Sequence, residues 1–198
     1  MRKASPASVQ GRDRLRLFCG LCLPDETSER IVAWQEQVLA GAGGIRVVPP
    51  QNLHITLAFL GSRPVSDVER VAGELRAAAA QAVPDVFETT GYHETPRVGM
   101  LDLRPRYEPE PGEGHVVMDN RRLWINLLWR LEQLEIPTRE RQVWRPHVTV
   151  CRFKERPRLV LTPPDLGAFS PSEAALYHSV LRPDGAQYEV LEAVALGG

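Results

Sequence analysis

Two periods of hydrophobic spacing alternate along this chain, and each change of period marks an element. Residues 15–23 (LRLFCGLCL) are an almost continuous apolar run of strand length. Pro24-Asp25-Glu26 then opens a helix with acidic residues in its first turn. It runs to about Leu39, with Ile31, Trp34 and Val38 on one face, and Gly41, Gly43 and Gly44 end it. A short strand is expected over Arg46–Val48, a turn over Pro49–Asn52 and a strand over Leu53–Leu60. Ser66-Asp67-Val68-Glu69 has the form of a capping box for a helix to about Gln81, with Val68, Val71, Leu75 and Ala79 inward. Strands follow at 86–93 and 97–103, and a Pro-, Glu- and Gly-rich loop at 104–116. Asp119 is placed to cap a helix carrying Leu123, Leu127, Leu131 and Leu134 in register. A strand at about 147–153 and two closing strands joined by Pro183-Asp184-Gly185 complete the chain.

This order repeats. Arg16–Leu23 and Arg97–Leu103 each lead from arginine through an apolar strand to proline, and each is followed by a helix, a proline-marked turn and another strand. The longer second half is assigned an insertion at 105–116. Two similar α+β lobes related by a pseudo-two-fold are expected. The final strand of each repeat carries the same motif, His54-Ile-Thr56 and His147-Val-Thr149. In a strand, residues two apart share a face, so each motif holds an imidazole beside a hydroxyl. Parallel placement of the two motif strands would bring both histidines to a shared cleft.

Two imidazoles with ordinary titration near 6.5 can supply one acid and one base at neutral pH. In-line cleavage of a phosphodiester needs that pair, and the two threonine hydroxyls can donate to the non-bridging oxygens. Neither motif brings a nearby carboxylate to complete a metal shell, so no metal and no cofactor is expected. His93, His115 and His178 lack such a context and are expected at the surface or in loops.

Composition adds bounds to this picture. The 198 residues suffice for one domain or two fused lobes, and a formal net charge of −1 leaves any nucleic-acid partner to be met by local charge. Such a local excess lies between 139 and 158, in Arg139, Arg141, Arg145, Arg152, Lys154, Arg156 and Arg158 against Glu140 and Glu155. It fits either a solvated face or a path for a polyanion. Phe59 has the opposite strand parity from His54, which favours core packing, with base stacking beside the cleft as the second role. Cys19 and Cys22 match C-x-x-C, but positions three apart in a strand face opposite sides, so buried small residues fit better than a redox or metal pair. No run approaches the roughly 20 apolar residues of a membrane helix. Residues 1–13 are expected to be a disordered leader, residues 14–198 a single bilobal domain, and the protein a cytoplasmic monomer.

The stretch from Arg46 through His54, Thr56 and Phe59 to Gly61, with Arg145-Pro146-His147-Val-Thr149-Val-Cys-Arg152, closely resembles the bacterial and archaeal RNA 2′,3′-cyclic phosphodiesterases. These enzymes, also known as 2′-5′ RNA ligases, belong to the two-histidine phosphoesterase superfamily. The similarity runs from Arg16 to Leu191. It implies a bilobal α+β fold with an antiparallel sheet in each lobe, and metal-free opening of a terminal 2′,3′-cyclic phosphate on RNA to a 2′-phosphomonoester. It further implies His54 as proton donor, His147 as proton acceptor, Thr56 and Thr149 on the phosphate, and Arg152 in support. Simple alternation sets Arg152 on the face opposite His147, so its role needs a bulge or a long reach. Val47, where relatives often carry tryptophan, and the long 105–116 loop depart from the family pattern. Run in reverse, the same site would perform 2′-5′ ligation. A cyclic phosphodiesterase for a small nucleotide such as ADP-ribose cyclic phosphate is a second reading, and a non-catalytic RNA-binding module a third.

Overall fold

In the computed structural model, which describes residues 13–39, 41–106, 122–138, 144–182 and 185–197, the apolar runs pair into one antiparallel sheet. Its strands are β1 (Arg14–Cys22), β2 (Ile45–Val47), β3 (His54–Pro64), β4 (Val86–Glu94), β5 (Val98–Arg106), β6 (His147–Phe153), β7 (Glu173–Arg182) and β8 (Gly185–Ala195). They lie in the order β4-β5-β6-β3-β1-β7-β8, with β2 also on β6. Helices α1 (Asp25–Val38), α2 (Asp67–Ala80) and α3 (Leu123–Gln133) send Ile31 and Trp34, Val71 and Leu75, and Leu127 and Leu131 into the main core. Alternation along the strands decides which sheet face they cover. Leu15, Leu17, Cys19 and Leu21 of β1 point to the helices, while Phe18 and Cys22 belong to a smaller apolar cluster with Ala175, Tyr177, Tyr188 and Val190. No helix among the described residues is long and apolar enough to cross a membrane.

The internal repeat is visible in the register. On β1 and β3, Phe18, Cys19, Gly20, Leu21 and Cys22 face Phe59, Ala58, Thr56, Ile55 and His54. On β5 and β6, Val98, Gly99, Met100, Leu101 and Asp102 face Arg152, Cys151, Thr149, Val148 and His147. One pattern maps on the other, including a skipped residue, Leu57 in β3 and Val150 in β6. Those skips are β-bulges, each placing two consecutive side chains in the core: Leu57 and Ala58, Val150 and Cys151. The strand repeat thus equates Leu17, not Arg16, with Arg97. Matching the two arginines is one residue out of register, a slip that exchanges sheet faces. The paired sizes compensate: at Gly99 a Cβ would lie 2.7 Å from Cys151 Sγ and collide with the Tyr92 hydroxyl.

Several local expectations are corrected. Ser66 makes no capping hydrogen bond; the buried Asp67 beside it instead binds Arg63 (2.7 Å) and Arg70 (3.0 Å). The motif strands run antiparallel, not parallel. Strand β5 continues through Arg106, so residues 104–106 are strand and not loop. The rest of that loop, Asp119, His115, residues 1–12 of the leader, Arg139, Arg141 and the Pro183-Asp184 turn lie outside the described residues. His178 is not a surface residue: it is 2% exposed and its Nδ1 lies 3.4 Å from Glu189. His93 is half-exposed and paired with Asp102.

Gln35 of α1 secures the second bulge. Its buried amide donates to Val150 O at 2.7 Å and to Val48 O at 3.1 Å, joining the helix to β6 and to the residue that follows β2. Replacing it (Gln35→Leu) leaves the Val48 carbonyl without that donor in a dry site. A loss of about 1–3 kcal/mol is expected, measured as a lowered midpoint in urea unfolding.

Candidate active site

Strands β3 and β6 meet through one register pair, Ile55 with Val148, both fully buried against the core. Their neighbours must turn to the other face. Because the crossing is antiparallel, one step either side sets His54 across from Thr149 and Thr56 across from His147. A cleft of about 660 Å³ opens over this crossing and is lined by both histidines and both threonines.

Each imidazole is held by the backbone two residues before it. His54 Nδ1 donates to Asn52 O at 2.7 Å, and His147 Nδ1 donates to Arg145 O at 2.8 Å. A carbonyl can only accept, so each ring carries its proton on Nδ1 and leaves Nε2 for the cleft. His54 Nε2 lies 3.1 Å from Thr56 Oγ1. The lobes differ around these rings. Phe18, Tyr177 and Tyr188 lie 4.9, 5.8 and 5.3 Å from the His54 ring, centroid to centroid. Gly20 leaves room beneath it, since a Cβ there would lie 3.2 Å from His54 Cδ2. Among the described residues no aromatic ring packs on His147. Burial in this nest lowers the His54 pKa to about 4, with the Asn52 carbonyl acting the other way and the His147 and Arg152 charges adding to the decrease.

The bulges recover two residues that simple alternation turns away. Phe59 and Arg152 are equivalent in the repeat and both line the cleft. The expectation of core packing for Phe59 is therefore corrected, as it is 44% exposed. Arg152 Nη2 reaches Tyr188 OH at 3.4 Å. The rest of the basic 139–158 stretch does not form the cleft wall among the described residues; Arg156, for example, pairs with the buried Glu94 at 3.2 Å. The cleft's other arginines are Arg16, Arg46 and Arg182, from β1, β2 and β7, and no described aspartate or glutamate lines it. Sequence reasoning missed these three. Arg16 was legible from its parity with Phe18 in β1, but Arg182 and Tyr188 arrive by tertiary folding alone. Cys19 lies in the main core and Cys22 in the cleft-side cluster, with Cys22 Sγ 3.4 Å from Tyr177 OH.

Residues 21–98 match the model of the LigT-like phosphoesterases. An RNA 2′,3′-cyclic phosphodiesterase from Thermus thermophilus is 34% identical over 193 residues, covering 93% of this chain and 91% of the relative. The chain belongs to the LigT-like phosphoesterase family. Another family member, an RNA 2′,3′-cyclic phosphodiesterase from Archaeoglobus fulgidus, is 26% identical over 89% of this chain and 98% of its own length. A crystal structure of a Thermus thermophilus protein superposes with a TM-score of 0.75 at 28% identity, covering 93% of this chain and 99% of the other. Escherichia coli LigT, at 22% identity and a TM-score of 0.69, covers 94% of this chain and all of its own, and shares the fold. This LigT-like phosphoesterase is thus an α+β bilobal enzyme.

The depressed His54 pKa has a stability consequence with a definite sign. Below the ordinary imidazole value of 6.5 the unfolded chain takes up a proton that folded His54 refuses until about pH 4. Its contribution is full above 6.5 and is lost as pH falls toward 4. Unfolding midpoints measured between pH 7 and 4.5 should drop less in His54→Gln than in the parent protein.

Proposed function

We propose that this phosphoesterase hydrolyses the 2′,3′-cyclic phosphate end of RNA to a 2′-phosphomonoester, with the two motif histidines as acid and base. The observation that carries this reading is the antiparallel crossing, which aims two imidazole Nε2 atoms and two hydroxyls at one volume from opposite lobes. The activity for which the Thermus and Archaeoglobus relatives are named supports the same substrate class.

Water attacks phosphorus on the face of His147, whose Nε2 accepts the proton. The bond from phosphorus to the 3′-oxygen breaks, and His54 donates a proton to that oxygen, leaving a 3′-hydroxyl and the phosphate on the 2′-oxygen. Thr56 and Thr149 donate to the non-bridging oxygens as negative charge gathers on them. Arg152 adds a fixed positive charge, and Phe59 offers a face to the base of the terminal nucleotide. With the 5′-hydroxyl of a second RNA in place of water, attacking from the same side, the same pair forms a 2′-5′ linkage, and in the reverse of that step acid and base exchange roles.

His54 is neutral in the free enzyme at pH 7, since its pKa is about 4. A donor must carry the proton, so the negative charge of the bound substrate has to raise the His54 pKa, and the imidazole takes its proton from solvent. The acid therefore titrates higher in the complex than in the free enzyme. The limb set by His54 is expected at higher pH in kcat than in kcat/KM.

The deciding experiment incubates the protein and EDTA with an oligonucleotide ending in a 2′,3′-cyclic phosphate. A 2′-phosphomonoester is expected as product, and none from a competent preparation would refute the reading. His54→Ala and His147→Ala should each lose roughly 10²–10⁴-fold in kcat, and near-normal turnover in either would remove the two-histidine mechanism.

A further inference from the structure

The concave face of β3, β1 and β7 is built in rows. Nearest the reacting groups, Thr56 faces Gly20, which faces Ala175. Two residues further along β1 comes an aromatic row: Phe59 faces Phe18, which faces Tyr177, with ring centroids 6.1 and 4.7 Å apart. Two residues further again, Arg16 faces Ser62. On its other side the register of Leu17 with His178, carried one step on, brings Ser179 opposite Arg16. All three line the cleft, and Arg182 closes the same end from β7.

The last row has the chemistry of an anion site. It offers two guanidinium groups and two hydroxyls, with no described carboxylate on the cleft wall. Arg14 lies at the same end, donating to Ser62 Oγ at 3.2 Å and Ser62 O at 2.7 Å. Arg16 and Arg182 are both exposed to solvent. At a strand rise of about 3.3 Å per residue, the Arg16 row stands roughly 13 Å from the Thr56 row. The aromatic row lies between them. Phe59 is its exposed ring, at 44%, backed by the buried Phe18 and Tyr177. An exposed ring followed by a cationic row is how single-stranded nucleic acid is held without reading its sequence. A cyclic mononucleotide has no further phosphate to reach that end, whereas a longer strand does.

We propose that Arg16, Ser62, Ser179 and Arg182 form a subsite for a backbone phosphate upstream of the terminal nucleotide, so that the enzyme favours cyclic-phosphate-ended oligonucleotides over cyclic mononucleotides. This rests on the phosphodiesterase reading and extends it to substrate length. The arginines recognise charge and spacing, not base identity, so preference depends on length and salt and not on sequence.

The test compares kcat/KM for a nucleoside 2′,3′-cyclic phosphate with di- and trinucleotides carrying the same cyclic end, in the parent enzyme and in Arg16→Gln and Arg182→Gln. A rise of at least about tenfold from mono- to trinucleotide is expected, diminished by salt and reduced severalfold in either variant. Equal values for all lengths in the parent enzyme would overturn the subsite, as would a length preference unchanged in both variants. If one variant fails to fold, the other carries the comparison. Hydrolysis of none of the three substrates would fault the phosphodiesterase reading itself, an outcome distinct from hydrolysis without length preference.

Discussion

The antiparallel crossing of β3 and β6 at Ile55 and Val148 is the constraint on which the site depends. Both residues are anchored in the core, so the crossing leaves the flanking histidines and threonines only the cleft face. Each imidazole then lies near the other lobe's threonine as well as its own. A parallel arrangement would place like beside like. The antiparallel one gives a two-fold set of donors and acceptors around a centre, which suits a phosphorus atom with entering and leaving oxygens on opposite sides.

Matching bulges at Leu57 and Val150 extend that set. Each costs one ladder position and returns a side chain, Phe59 or Arg152, to the cleft. Here the lobes diverge. Aromatic rings from β1, β7 and β8 surround the first histidine; beside the second stands a guanidinium, and among the described residues no ring stacks on its imidazole. The repeat gives two equal imidazoles, and the surroundings make them unequal. Half-buried His54 resists a proton, so in the proposed mechanism the acid is armed by the substrate it will cleave.

Strands and helices were legible because their apolar periods are strong, and the His-x-Thr pairs were legible because strand parity alone sets an imidazole beside a hydroxyl. The repeat was legible in outline but not in register, since Arg16 and Arg97 match in type while the strands pair one residue apart. Phe59 reads as core because a bulge leaves no mark in a run of apolar residues such as Leu57-Ala58. The reach demanded of Arg152 is met by the same device. His178 deceives because its partner, Glu189, lies on the neighbouring strand and not nearby in sequence. Arg46, Arg182 and Tyr188 join the cleft only through the curl of the sheet.

The most direct measurement is a crystal structure of the protein with inorganic vanadate, whose trigonal-bipyramidal form imitates in-line transfer. One vanadate is expected between the lobes, with its apical oxygens at His54 Nε2 and His147 Nε2 and its equatorial oxygens at Thr56 and Thr149. Vanadate held by one motif alone, or elsewhere in the cleft with the two histidines untouched, would contradict that arrangement.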